Sequence, residues 1–203
     1  MKKILLMIVV MAAFVFTANA QKVKLVDGKL DFLKGQKELK LKFTYDDNMK
    51  IGKMKKDDYI NKKVKDRNKK EPGSGDIWKQ KFQANLDTVF PRYFQNMFNM
   101  WKKKNATVDV NADDADYIMV VNTTFLEPGY NVGISSKRPM ANMEIYFVAA
   151  NNPDKVLAKF NVTKVPGNSM FGSGYTFKDR VGGCYENAAN AIADYFVRKK
   201  TFK

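Results

Sequence analysis

The chain has 203 residues, 36 Lys and Arg against 21 Asp and Glu, a formal charge of +15, one cysteine and no histidine. Without imidazole, Ser-His-Asp and Cys-His catalysis, His-containing zinc or iron sites and a proton switch near neutral pH are excluded. A lone Cys184 excludes an internal disulfide and Cys-rich metal sites. Apolar residues at 45% and aromatics at 13% suffice to fill a core, so the length suits one domain plus a targeting segment.

The segment 1–20 has Lys2 and Lys3, an apolar run over 4–16, and then Ala18-Asn19-Ala20. This order of charge, short apolar run and small-residue site reads as a secretory signal peptide cut before Gln21. The run is too short for a comfortable membrane span, and no cysteine follows it for lipid attachment. Removing Lys2 and Lys3 leaves 34 basic residues against 21 acidic ones, or +13. The reading is an exported protein, periplasmic or extracellular, and not an integral membrane protein after cleavage.

Residues 21–37 form a mixed N-terminal arm or edge strand, and 38–203 a single domain. Segment 38–45 alternates Leu39, Leu41 and Phe43 with Lys40, Lys42 and Thr44, the pattern of a half-buried strand. Asp46-Asp47-Asn48 reads as a turn or loop. Segment 55–70 predicts a helix with Asp57 and Asp58 at its start and a thin stripe of Tyr59, Ile60 and Val64. Its Lys-rich surface is either a solvated face or a patch for anionic partners. Export and the lack of an aromatic-basic recognition motif argue against nucleic acid.

Segment 76–104 organises the fold. Trp78, Phe82, Leu86, Phe90, Phe94, Met97, Phe98 and Trp101 recur at three- and four-residue steps, which places them on one helical stripe. Asp76 suits an N-cap, and Lys102, Lys103 and Lys104 suit the C-terminal dipole end. Pro91 conflicts with the pattern and predicts a kink or a division into two helices.

A short strand is predicted over 106–110. Residues 109–120 begin like a calcium loop but fail it, with Asp114 where glycine is needed and Val120 where a bidentate Glu is needed. Segment 117–126 is apolar on both faces and predicts a strand covered on both sides. Glu127-Pro128-Gly129 ends it, followed by a loop to Pro139. Strands over 140–150 and 156–162 complete an antiparallel meander. Loop 165–174 matches no phosphate-binding fingerprint. A last helix over 176–199 carries Phe177, Val181, Cys184, Tyr185, Ala188, Ile192 and Phe196 on one stripe. Gly182-Gly183 costs it roughly 1 kcal/mol per glycine relative to Ala, which predicts close packing there. The expected fold is one α/β (α+β) domain. A mixed, largely antiparallel sheet of about five strands packs against a long central helix and a C-terminal helix.

Asp31-Phe-Leu-Lys-Gly-Gln36, Ala115-Asp116-Tyr117, Thr123-Thr-Phe-Leu-Glu-Pro-Gly129 and Val156-Leu-Ala-Lys159 are scattered over most of the mature chain. On these segments it resembles a Bacteroidetes-type family of small secreted envelope domains. More distantly it is similar to the periplasmic α/β domains of curli-secretion-channel and TolB N-terminal type. The resemblance implies a mixed sheet with helices packed on it and a role in envelope assembly or binding. It implies no catalytic residues.

The functional reading is therefore a non-enzymatic binding or assembly module with a protein, glycan or lipid partner and with no catalytic, cofactor or metal residues. Tyr130, Arg138, Met170 and Phe171, on the two irregular loops, are the candidate contact residues. Two alternatives stand beside it. One is a glycan hydrolase using Glu127 with Glu144 or Asp116. The other is electrostatic adhesion to anionic surfaces through residues 53–70.

Overall fold

The structure, a computed structural model, describes residues 21–101, 106–132, 134–167 and 176–203. The leader, the three lysines after Trp101, and the candidates Met170 and Phe171 lie outside the described residues.

The architecture is a mixed α+β fold. A seven-stranded open sheet has the order β1-β9-β8-β5-β2-β3, with β4 paired to β2 off that path. The strands are β1 (Lys22–Gly28), β2 (Glu38–Ile51), β3 (Met54–Lys55), β4 (Thr107–Asp109), β5 (Tyr117–Glu127), β8 (Met140–Ala149) and β9 (Asn152–Pro166). A separate two-stranded ribbon, β6 (Tyr130–Asn131) with β7 (Ser136–Lys137), rises inside what the sequence reads as a plain loop. The helices are α1 (Lys56–Asn68), α2 (Ser74–Ala84), α3 (Phe90–Asn99) and α4 (Phe177–Lys199). β5, β8 and β9 form the predicted antiparallel meander, whereas β2 lies parallel to β5. The parallel pair is the product of the crossover through α1 to α3, because parallel neighbours cannot be joined by a hairpin.

Alternation sets the two faces. Leu41, Met119, Phe147 and Ala158 follow one register row, and Phe43, Val121, Ile145 and Phe160 the next. Both rows face the helices and all but Phe43 are buried. Lys42, Asn122, Glu144, Tyr146 and Lys159 face the other way and keep solvent contact. There Thr44 Oγ1 donates to Asn122 Oδ1 at 3.1 Å and Lys159 pairs with Glu144 at 2.8 Å. The expectation that β5 is covered on both sides is thus corrected: Val120 is buried, but Ile118, Asn122 and Thr124 on that face are only half-buried. Lateral neighbours, including Lys42 and Tyr146 beside Val120, supply the cover that sequence reasoning assigned to a second layer.

The aromatic stripe does face the core. Phe82, Leu86, Phe90, Phe94 and Phe98 are buried, and Phe90 stacks on Tyr185 of α4 at 4.8 Å. Pro91 divides the rod in a specific way. A π-helical segment, Asn85–Val89, joins α2 to α3, and the Phe90 N–H bonds the Asn85 carbonyl five residues back. In a regular helix Leu86 would accept from Phe90, and here its i+5 neighbour is Pro91, which has no N–H. The freed Leu86 carbonyl accepts the Tyr45 hydroxyl from β2 at 2.6 Å. Proline, π-segment and strand tyrosine therefore form one unit.

Two local readings change. Asp76 does not cap α2: Gly73 at φ 83° opens the helix, and Asn68 Oδ1 at the end of α1 accepts the Gly75 N–H at 2.7 Å. Asp46-Asp47-Asn48 is not a turn between elements. β2 runs through it with a register shift between Tyr45 and Lys50, and Asp46 Oδ1 takes the Asn48 N–H at 2.7 Å inside that bulge. Gly182 meets its packing expectation, since a Cβ there would lie 2.4 Å from the Tyr93 ring of α3.

Candidate functional site

The fold brings four separate stretches around a cleft of about 680 Å³. α1 presents Tyr59, Lys63 and Arg67 at four-residue steps, which puts them on one helical face. α2 supplies Trp78, Lys81 and Phe82, the β5–β6 link supplies Pro128 to Tyr130, and the start of α4 supplies Phe177, Lys178 and Arg180. Thr176 caps α4 by accepting the Asp179 N–H at 3.2 Å, which fixes where these last side chains emerge.

The aromatic floor is continuous. Trp78 stacks on Phe82 at 5.2 Å and 29°, Phe82 meets Phe177 at 5.2 Å, and Tyr59 lies across Trp78 at 6.2 Å. Cations sit on this floor: Lys63 Nζ is 5.6 Å from the Tyr59 ring centre and the Arg67 guanidinium 5.9 Å from that of Trp78. Arg180 Nε donates to the Pro128 carbonyl at 3.2 Å and ties α4 to the β5–β6 link. Five cationic side chains thus line the cleft. Among the described residues lining it there is no carboxylate. Glu127 is nearby but committed, paired to Lys137 and accepting the Gly129 N–H at 3.3 Å. Burial pushes the Tyr59 phenol above its usual range, and Glu127 adds to that, while Arg180 and Arg67 pull the other way. The phenol therefore stays a neutral hydrogen-bond donor.

Of the loop candidates, Tyr130 lies at the rim of this cleft, 44% exposed, with its hydroxyl 3.2 Å from Ser135 Oγ. Arg138 is exposed just past β7 and is not part of the lining. Tyr59, Lys63, Arg67, Lys178 and the exposed side of Trp78 were missed as site residues. The i, i+4, i+8 spacing of the first three was the available signal, but a lysine-rich helix face has the same appearance when it is only solvated.

The proposed carboxylate pairs are not brought together. Glu144 stands opposite Asn122, five residues along β5 from Glu127 and six from Asp116. At about 3.4 Å per residue the backbone offset from Glu127 is roughly 14 Å along β8, where Glu127 faces Met140, or roughly 17 Å along β5, and that from Asp116 is roughly 20 Å; Asp116 and Glu127 lie farther apart still, all beyond the roughly 10 Å that a glycosidase pair spans. Among the described residues no group of three or more Cys, Asp or Glu is arranged to hold a metal, and no helix is long and apolar enough to cross a membrane. Cys184 is buried and its thiol is pushed far above the usual range by that burial.

Neither a protein-family model nor a curated protein sequence matches the chain. Among solved structures the chain is similar to a PelC dodecamer from Paraburkholderia phytofirmans, at 10% identity and a TM-score of 0.44, over 91% of this chain and 99% of that one. A point variant of the same assembly matches at 12% identity and a TM-score of 0.42, over 90% and 99%.

Proposed function

We propose that this protein is an exported, non-enzymatic binding module of the cell envelope that holds an acidic glycan in the cleft between α1, α2 and α4. The leader pattern and the resemblance of the quoted segments to Bacteroidetes-type secreted domains support the envelope address. One observation carries the ligand class: five cations and five aromatic side chains converge on a cleft whose described lining has no carboxylate. An excess of cations over carboxylates in the described lining favours an anion, and flat aromatic faces suit the apolar faces of sugar rings. Adhesion through the whole 53–70 stretch is a weaker account, because of its cations only Lys63 and Arg67 line the cleft.

Calorimetry with oligogalacturonate and with neutral maltohexaose tests the proposal. The acidic oligomer should bind and the neutral one should not. Lys63→Glu with Arg67→Glu should weaken the acidic oligomer at least about tenfold, and raising salt should weaken the wild type. Equal binding of the two oligomers, or a double variant indistinguishable from wild type, would overturn it.

A further inference from the structure

A second groove, of about 750 Å³, lies at the margin of the core between the outer edge of β2 and the π-segment with α3. We infer that residues 41–45 of β2 are a docking edge for an extended segment of a partner protein that alternates apolar and acidic side chains.

The pairing of β2 leaves a gap. Along its outer edge, β4 pairs in parallel with Glu38 to Lys40, and β3 pairs antiparallel with Lys50 and Ile51. Between them no strand pairs with residues 41–49 on that side among the described residues. Residues 46–49 are taken up by the bulge, so about five residues remain extended, roughly 17 Å of edge. A row of backbone N–H and C=O groups at strand spacing is matched by another extended main chain and by little else, which is why the occupant is a peptide rather than a sugar or lipid.

The surroundings differ from those of the opposite sheet edge. There β1 carries exposed Lys22, Lys24 and Asp27 and a bulge after Leu25, devices that discourage added strands. Here the groove floor is apolar: Leu41 and half-buried Phe43 from β2, Leu86 and Pro91 from the rod. The π-segment shapes that wall, since its freed carbonyl is satisfied by Tyr45 and the rod is held alongside the strand. Apolar side chains at alternate positions of an incoming strand would point onto this floor. The side chains between them would turn to the other face of the sheet, where Lys42 is exposed and Lys40 is already paired to Asp113, whereas Asp87, the one carboxylate in the described lining, sits on the rod beside exposed Arg92. That imbalance selects acidic residues.

The test uses fluorescent Val-Glu-Val-Glu-Val-Glu-Val, its Val-Lys counterpart, and a Val-Glu version with alternate amides N-methylated. Fluorescence anisotropy with the full mature chain should show the acidic peptide binding at least about tenfold more tightly than the lysine one, with Lys42→Glu weakening the former and strengthening the latter. The N-methylated peptide should not bind. Hydrogen exchange should show protection appearing within residues 41–45 on saturation and nowhere in the α1–α2–α4 cleft. Lys63→Glu with Arg67→Glu should leave peptide binding unchanged, which separates this edge from the glycan cleft. Equal binding of the N-methylated peptide, no binding of the acidic peptide at millimolar concentration, or protection elsewhere would overturn the inference. So would concentration-dependent dimerisation that protects the same amides without peptide, since a second copy would then own the edge.

Discussion

At the scale of single residues, the strongest constraints are contacts that one side chain makes with a distant one. Gly182 is the clearest. An alanine there would bring its Cβ to 2.4 Å from Cδ2 and Cε2 of Tyr93, so α3 and α4 could not keep their spacing without moving that ring. Overpacking of this kind costs about 1–3 kcal/mol, against about 1 kcal/mol gained in helix propensity. Gly182→Ala should therefore lower the urea midpoint, while in a Tyr93→Ala background the same change should raise it. Thr123 is the one buried polar side chain on the core face of β5, and its Oγ1 is 2.9 Å from the Tyr185 hydroxyl. Thr123→Val would remove one of that hydroxyl's two partners and leave Tyr45 as the other, at about 0.5–1.5 kcal/mol, readable in the same unfolding assay. The amphipathic spacing of α4 already reveals that Tyr185 and Cys184 face inward. It does not reveal which polar group meets them, because Thr123 lies 62 residues away in the chain.

At the scale of elements, the central rod shows where periodicity stops being informative. The stripe from Phe82 to Phe98 is legible because burial of one helix face demands that spacing. Pro91 is legible as a defect. Its resolution as a π-segment is not, because the carbonyl that the defect frees must find a donor, and that donor is Tyr45 on a strand 41 residues away. Tyr45→Phe should orphan the Leu86 carbonyl and cost about 1–3 kcal/mol. Pro91→Ala restores a donor at position 91, so the Tyr45→Phe penalty should shrink in that background. A double-mutant cycle by chemical denaturation checks this, and additive effects would disconnect the two residues. β2 fails similarly: Asp46-Asp47-Asn48 has turn composition, yet pairing with β5 on both sides of the bulge carries the strand through it.

At the scale of the whole molecule, the buried hydroxyls and thiol set an alkaline limit. Burial raises the phenols of Tyr45 and Tyr185 above their ordinary value of 10.0 and the Cys184 thiol above 9.0, and the Tyr45–Tyr185 contact raises Tyr45 further. Below pH 9.0 both folded and unfolded chains hold these protons. Above it the unfolded chain releases them and the folded chain does not, so stability must fall as pH rises. Urea midpoints should decline from pH 9 upward, and Cys184 should resist alkylation in the native state while reacting in urea. A midpoint flat to pH 10.5 would contradict the burial of all three. By itself, the sequence determined the helices, the meander strands, the inward stripes and the chemistry ruled out by zero histidines and one cysteine, because these follow from local spacing and composition. Only the tertiary structure decided that α1, α2 and α4 share a cleft of cations, that the outer edge of β2 has no strand partner among the described residues between β4 and β3, and that Pro91 is answered by Tyr45. Each of those is a meeting of groups distant along the chain, and no local spacing encodes which distant groups the packed core will set side by side.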